Sequence, residues 1–188
     1  MQEVRTSRTH KIEKDMTSEV HNIDCLEYMR TLPDNYFQLA IADPPYGIGA
    51  ENHAGPKENG WTQWTKKEWD KAIPSKDFWS ELLRVSKNQV VWGGNYMTEY
   101  LPPKMGWIVW DKCQRDFSLA DAELAWTSFD KATRIFSFSR ANALQEGKIH
   151  PTQKPIALYA WILQKYTGRQ VFLQESGSTR YHGTVHTC

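Results

Sequence analysis

The sequence predicts one α/β domain with a doubly wound sheet, and three observations support this prediction. The chain has 188 residues, an ordinary size for a single domain. Short apolar segments alternate with segments of helical periodicity, as expected when helices cover both faces of a parallel sheet. One apolar segment, Phe37–Ala42, stops abruptly at Asp43-Pro44-Pro45, which is typical of a buried parallel strand followed by a turn.

The first elements are a leader, a strand and a helix. Residues 1–18 are polar and unpatterned, which predicts a poorly ordered leader before a domain over residues 19–179. A short strand over 19–23 precedes a helix over Cys25–Leu32, in which Leu26, Met29 and Leu32 recur at helical spacing. The turn residues that follow indicate the end of that helix.

The middle of the chain contains a long loop and most of the predicted sheet. Residues 51–74 include three tryptophans without sustained periodicity, and loops this long are usually functional or disordered. Ser75 is a suitable cap for a helix over Phe78–Val85. Further strands are predicted over Gln89–Trp92, Trp107–Trp110, Ala122–Phe129 and Ile135–Phe138, the second and third as a hairpin or as neighbours.

The C-terminal part contains one more helix and strand. Pro155 occupies the predicted first turn of a helix that runs to Tyr166 and is stopped by Gly168. A strand over 170–173 follows, and residues 180–188 are expected to be a polar tail. His182 and His186 have the spacing of a metal site on a helix, but no helical pattern supports that segment, so we expect no metal.

Composition and charge exclude several classes of protein. A formal net charge of +1 excludes a globally basic nucleic-acid binder, although seven basic residues against two acidic ones between Asp130 and Arg169 permit a local patch that faces phosphates. Three cysteines without a CxxC spacing argue against a disulfide framework and favour the cytoplasm. No apolar run reaches the roughly 18 residues of a membrane span. Nine tryptophans fit either a core or an aromatic contact surface.

The tetrapeptide Asp43-Pro44-Pro45-Tyr46 is the first candidate for a functional site. It follows a predicted buried strand, and the carboxyl ends of parallel strands line the ligand crevice of an open sheet. Two prolines remove two N–H donors, which leaves the Asp43 carboxylate and backbone carbonyls as acceptors beside the flat ring of Tyr46. This set suits an exocyclic amine on a planar ring. The alternative is a turn with a capping aspartate and a packing tyrosine.

A second motif, His150-Pro151-Thr152-Gln153-Lys154-Pro155, lies directly before the C-terminal helix. With Asp-Pro-Pro-Tyr early and this hexapeptide late, the chain resembles the permuted (β-class) DNA amino-methyltransferases from about Val20 to Ser178. The resemblance implies a Rossmann-like S-adenosylmethionine-dependent methyltransferase fold with a mostly parallel sheet, from which a C-terminal part of the family's fold is missing.

The resemblance also implies a reaction and its partners. The enzyme would transfer a methyl group from S-adenosyl-L-methionine to N6 of adenine or N4 of cytosine in double-stranded DNA, with the target base flipped out of the helix. An aspartate at the first motif position favours adenine. Asp43 and the Pro44 carbonyl would bind the amine within the catalytic segment that includes Pro45, and Tyr46 would stack on the base. A restriction endonuclease is a possible partner of such enzymes.

The implied cofactor site draws on four segments of the chain. The family's glycine-rich turn retains only Gly177 here, and the acid that precedes it is replaced by Leu173 or Gln174. Because glycines allow close approach to the cofactor's methionine part, we expect weak cofactor binding. The residues that the resemblance assigns to the cofactor are Asp24, Cys25, Asp43, His150, Thr152, Gln153, Lys154, Ser176, Gly177 and Ser178.

Two other functions remain open from the sequence. One is a catalytically impaired remnant that folds and binds DNA without turnover, which the altered C-terminal segment motivates. The other is a methyltransferase that acts on amines of protein or RNA. Enzymes of that kind usually have asparagine at the position of Asp43, so the aspartate here disfavours this alternative.

Overall fold

A computed structural model describes residues 21, 23–49, 70–115, 120–146, 153–166, 171–175 and 183–186. In these ranges one seven-stranded sheet has the order β5-β3-β4-β2-β1-β6-β7. The strands are β1 (Leu39–Asp43), β2 (Gln89–Trp92), β3 (Trp107–Asp111), β4 (Ala122–Thr127), β5 (Arg134–Ser137), β6 (Val171–Glu175) and β7 (Gly183–His186). The helices are α1 (Cys25–Arg30), α2 (Lys76–Val85), α3 (Arg140–Gln145) and α4 (Ile156–Tyr166), with a 3-10 turn over Gly94–Tyr96.

The protein has the predicted α/β class, but the sheet is mixed rather than mostly parallel. β1 lies between two parallel neighbours, β2 and β6, and β3 is parallel to β5. The other three pairings, β2 with β4, β3 with β4 and β6 with β7, are antiparallel. β3 and β4 are consecutive in the chain with about ten residues between them, which is fewer than the crossover of a parallel pair requires.

Two apolar cores lie on opposite faces of the sheet, and the alternation of side chains along β1 separates them. Ala40 and Ala42 contribute to the core that contains Met29 of α1 and Leu82 of α2. Leu39 and Ile41 belong to the other core, together with residues of α4. Since side chains two positions apart share a face, Asp43 follows Leu39 and Ile41 toward the face that α4 covers.

Most predicted elements are present with small changes at their ends. The helix predicted from Cys25 ends at Arg30, and the helix predicted from Pro155 begins one residue later, at Ile156. Ser75 precedes α2 but makes no side-chain capping bond. The leader, most of the strand predicted over 19–23 and residues 51–69 of the predicted loop lie outside the described residues.

Two elements were not predicted. α3 buries none of its residues and begins after Ser139, whose hydroxyl accepts the Asn142 amide hydrogen at 3.1 Å, so it has no apolar stripe to reveal it. β7 lies within the segment predicted to be a tail and pairs with β6. His186 is therefore in a strand, and the described residues contain no cluster of three or more metal-ligating side chains.

The six tryptophans in the described ranges belong to the cores and do not form a contact surface. Four of them are buried, and the other two are partly buried and pack against a core. The buried tryptophans are Trp79, Trp92, Trp110 and Trp126, and the partly buried ones are Trp107 and Trp161. Trp61, Trp64 and Trp69 are outside the described ranges. No helix among the described residues is long and apolar enough to cross a membrane.

Candidate active site

The candidate site lies at the sheet edge where β1, β2 and β3 end. Asp43 is the last residue of β1, Gly93 follows β2 and Lys112 follows β3. Glu123 reaches the same edge from the start of β4, which runs in the opposite direction and pairs with Trp110 there. The carboxyl ends of β1, β2 and β3 and the start of β4 thus bring together residues that are far apart in the sequence, at the kind of edge where open α/β sheets bind ligands.

Asp43 is a buried carboxylate held between two donors. The Tyr46 hydroxyl donates to Oδ1 at 2.7 Å, and the Lys154 ammonium donates to Oδ2 at 2.9 Å. Lys154 also donates to the Tyr46 oxygen at 3.2 Å. Burial raises the pKa of the Asp43 carboxyl above its ordinary value, and the charge of Lys154 opposes that rise.

Lys154 joins Asp43 to a second carboxylate. Its Nζ lies 3.0 Å from Oε2 of Glu123, whose Oε1 is 2.8 Å from Nζ of Lys112. Burial disfavours the charged form of Lys154, but Asp43 and Glu123 outweigh it and hold the lysine pKa well above its ordinary value. Burial likewise opposes ionisation of Glu123, but the two ammonium groups bring its pKa to about 2. The site is therefore a row of four alternating charges, in which Asp43 and Lys154 are buried and Glu123 and Lys112 are partly exposed.

The backbone after Pro45 is held by another buried carboxylate, Asp70. Its Oδ1 accepts the amide hydrogens of Tyr46 and, at 2.8 Å, Gly47, and its Oδ2 accepts that of Ile48 at 3.3 Å. Three consecutive amides bonded to one side chain define the path of this turn. Sequence analysis missed Asp70 because its partners lie more than twenty positions earlier, beyond the reach of local patterns.

The ring of Tyr46 packs against the turn that follows β2. Tyr96 stacks on it with ring centroids 5.3 Å apart and planes inclined by 20°. Gly93 has φ of +66°, and a Cβ at this position would lie 2.3 Å from Cε1 of Tyr46. Glycine is required there both for the left-handed backbone and for the close approach of the ring. The two turns at the ends of β1 and β2 therefore fit together only with glycine at 93.

Asp24, predicted to contact the cofactor's adenine, caps α1. Its Oδ1 accepts the amide hydrogens of Leu26 at 2.8 Å and Glu27 at 3.1 Å. Next to it is a cavity of about 120 Å³, lined by Asp24, Leu26, Pro74, Ser75 and Phe78. Apolar walls beside a carboxylate are the kind of lining that a heteroaromatic ring with N–H donors requires.

The other residues that the resemblance assigns to the cofactor lie in different parts of the structure or outside its described residues. Cys25 is buried, and burial raises the pKa of its thiol to about 12. Lys154 is a buried partner of Asp43, Tyr46 and Glu123, because the segment before α4 brings its side chain to the end of β1. Gln153 lies beside it before α4. His150, Thr152, Ser176, Gly177 and Ser178 lie outside the described residues.

A scan against protein-family models gives no match to this chain, and a search of curated proteins gives none either. Geometry and motifs must therefore support any functional conclusion. The geometry defines a buried acidic acceptor at a sheet edge, backed by a lysine and covered by two stacked tyrosines.

Proposed function

We propose that this protein transfers a methyl group from S-adenosyl-L-methionine to an exocyclic amine of a DNA base, N6 of adenine before N4 of cytosine. One observation carries the proposal: the two motifs that resemble those of DNA amino-methyltransferases meet in space. Lys154 of the second motif contacts Asp43 of the first at 2.9 Å, across 111 positions of sequence. A turn with an incidental capping aspartate would have no reason to bury such a pair, because burying two charges is costly.

The residues at this edge suit recognition of an amine. Asp43 and the carbonyl of Pro44 are acceptors, and neither Pro44 nor Pro45 has an N–H that would compete for them. Asp43 is only 4% exposed, so an amine that binds there is removed from bulk water. The N–H groups of the amine then face the Asp43 carboxylate. The Lys154 ammonium, 2.9 Å away, favours the ionised form of this carboxylate and so opposes the effect of burial. When bound, S-adenosylmethionine supplies the methyl group.

The chain's own residues then act on the amine alone. Asp43 accepts a hydrogen bond from the amine N–H, which orients the nitrogen lone pair, and its carboxylate favours the positive charge that develops on nitrogen. As the N–C bond formed, the S–CH3 bond of the donor would break and S-adenosylhomocysteine would leave, and the methylated nitrogen would then lose one N–H proton to Asp43 or to water. No covalent enzyme intermediate is needed. In the described part of the chain Cys25 is buried at the start of α1 and Cys113 is exposed after β3, and neither is bonded to Asp43. We place such an enzyme in the cytoplasm, where its substrate DNA and cofactor would be.

The test is methyl transfer from labelled S-adenosylmethionine, at high concentration, to unmethylated DNA, followed by nucleoside analysis. We expect N6-methyladenine from the wild-type chain and none from Asp43→Ala, which removes the acceptor at the end of β1. Asp130→Ala is the matched control, because the Asp130 side chain is 83% exposed and pairs with Lys104. Product that is exclusively N4-methylcytosine would overturn the choice of base. Normal activity of Asp43→Ala would overturn the site.

A further inference from the structure

Asp70 binds every amide hydrogen of the turn that follows Pro45. Its carboxylate accepts the N–H groups of three consecutive residues, and its backbone carbonyl accepts that of the fourth at 3.1 Å. These four residues are Tyr46, Gly47, Ile48 and Gly49. The two residues before them, Pro44 and Pro45, have no N–H. Over residues 44–49 the backbone therefore has no donor left for a ligand.

The side-chain donors nearest to Asp43 are also used within the site. An ammonium group has three N–H donors, and the Nζ of Lys154 lies within 3.2 Å of three acceptors. These are Oδ2 of Asp43, Oε2 of Glu123 and the hydroxyl oxygen of Tyr46. The Tyr46 hydroxyl in turn donates to Oδ1 of Asp43. The indole N–H of Trp92 has no partner in the described part of the chain, but Trp92 is fully buried, so a ligand at this edge does not reach it. The turn and Lys154 thus leave a ligand only acceptors, namely the remaining lone pairs of the Asp43 carboxylate and the backbone carbonyls before Tyr46.

We propose that Asp70 is a specificity-determining residue: it keeps the turn after β1 free of donors, so that the site accepts a ring with an exocyclic amine and rejects a ring with an oxygen at the same place. This inference rests on the proposed function. An amine brings N–H donors for the acceptors of the site, whereas an oxo group brings lone pairs that face the Asp43 carboxylate with no hydrogen between them. Because the site is buried, water does not relieve this mismatch. Asp70 acts through the backbone of the turn and is not itself a contact of the base.

The experiment measures how well the site distinguishes an amine from an oxygen. A DNA duplex that the wild-type chain methylates is compared with the same duplex that carries hypoxanthine in place of the target adenine, or uracil in place of a target cytosine. The two dissociation constants are measured by fluorescence anisotropy, and their ratio is compared between variants, so that the ease of flipping each base cancels. In Asp70→Ala the amides of Tyr46 and Gly47 lose their acceptor and can donate to the oxygen of the base. We expect the preference for the amine to fall roughly 5- to 150-fold, the effect of one hydrogen bond in a buried site.

Two further variants separate specificity from stability. Asp70→Asn has the shape of the native side chain and a carbonyl oxygen in place of Oδ1, but an NH2 group replaces the acceptor of Ile48, so we expect a smaller fall in the preference. Gln89→Ala is the matched control for the loss of buried hydrogen bonds. Gln89 donates to the carbonyl and hydroxyl oxygens of Ser86 at 2.7 and 3.0 Å, at the start of β2 and away from Asp43. We expect this variant to be destabilised with an unchanged preference. Thermal unfolding shows that each variant is folded before its binding is compared.

The outcomes separate this inference from the proposed function. If the wild-type chain methylates DNA and the preference is the same in wild type, Asp70→Ala and Asp70→Asn, the role of Asp70 in specificity is wrong and the proposed function stands. If Gln89→Ala lowers the preference as much as Asp70→Ala does, Asp70 contributes only to stability and the inference is overturned. If the wild-type chain methylates no DNA, the proposed function fails and this inference fails with it.

Discussion

Burial and Lys154 act in opposite directions on the pKa of Asp43. A carboxylate as buried as Asp43 favours the neutral form, and a protonated carboxyl accepts hydrogen bonds poorly from an amine. The lysine ammonium opposes this by contact at 2.9 Å, while Glu123 and Lys112 hold the ammonium in place. The activity that we propose therefore depends on residues that do not touch the base.

Replacing Lys154 by methionine should move the pH dependence of methylation. Without the ammonium, burial alone acts on Asp43 and raises its pKa further, so the acid limb of the kcat/KM profile moves to higher pH. Two buried carboxylates also lose their partner, and we expect the free energy of unfolding to fall by about 3–5 kcal/mol. Lys131→Met, at a lysine that lies over the rings of Phe129 and Tyr166, should leave the profile unchanged. An unmoved acid limb in Lys154→Met would contradict this role.

Glu123 should contribute to stability at neutral pH and lose that contribution in acid. Its pKa in the folded protein is about 2, against an ordinary value of 4.5, so the unfolded chain binds the proton first as the pH falls below about 5. This difference corresponds to at most about 3 kcal/mol. We expect the stability difference between wild type and Glu123→Gln, measured by urea unfolding, to shrink from pH 6 to about pH 3. A difference independent of pH would show that the carboxylate is not stabilised by the two lysines.

At the scale of elements, the site depends on two turns and a helix start. The turn after β1 is held by Asp70, and the turn after β2 fits against it through Gly93. α4 begins where the Glu146 carboxylate accepts the amide hydrogens of Ile156 at 2.6 Å and Ala157 at 3.2 Å. Because Lys154 lies two residues before α4, that start also determines where its ammonium lies.

Gly93→Ala should displace Tyr46. The new Cβ would meet the Tyr46 ring at 2.3 Å, and alanine is strained at a φ of +66°. Gly47→Ala is a matched control, because it has the same strain at φ of +70° but its nearest neighbour is at 3.2 Å. We expect Gly93→Ala to lower the free energy of unfolding by about 1–3 kcal/mol more than Gly47→Ala does. Equal losses in denaturant unfolding would mean that the ring moves away without cost.

Glu146→Ala should destabilise the start of α4. The loss of two hydrogen bonds from backbone amides at a helix N-terminus lowers the free energy of unfolding by about 1 kcal/mol, and by about 2 kcal/mol at most. Asp121→Ala, at an exposed aspartate on the connection between β3 and β4, serves as the control. We expect a lower midpoint of thermal unfolding for Glu146→Ala. We also expect the pH optimum of methylation to shift, because Lys154 would be displaced from Asp43. A fall in stability without any change in the pH profile would show that Lys154 is positioned by the sheet alone.

At the scale of the whole molecule, the sheet separates a layer that contains α1 and α2 from a layer that contains α4. α1 and α2 cover one face and line the cavity beside Asp24, whereas α4 covers the other face and is preceded by Lys154. β1 lies between β2 and β6, and Asp43 is in register with Glu175 at the end of β6. Sites for an amine and for a methyl donor would therefore share the end of the central strands.

Calorimetric titration with S-adenosylmethionine should show weak binding. By the resemblance, the serines at 176 and 178 stand where the family has glycines, and their side chains would crowd the cofactor's methionine part. We expect no saturation at micromolar cofactor, and tighter binding when Ser176→Gly and Ser178→Gly are combined. An ordinary micromolar dissociation constant for the wild-type chain, unchanged by the double substitution, would show that these serines do not crowd the cofactor.

Local patterns were sufficient for the α/β class and for most elements. The turn Asp43-Pro44-Pro45 ends a buried strand one residue after its predicted end, and β2 has the predicted bounds, because short apolar runs flanked by turn residues carry their own signal. The candidate residues Asp43 and Tyr46 were found for the same reason. α3 and β7 were missed, since α3 has no buried stripe and the four residues of β7 become a strand by pairing with β6, which a local pattern does not reveal.

Only the tertiary structure showed what surrounds Asp43. Hydrogen bonds and ion pairs depend on distance in space, and the chain must fold before Lys154, Glu123 and Asp70 come near the end of β1. Nothing in the sequence distinguishes a lysine that binds a cofactor from one that neutralises a buried carboxylate. The mixed sheet and the stacking of Tyr96 on Tyr46 are likewise products of strand order, because strand pairing joins segments that the sequence separates by tens of residues.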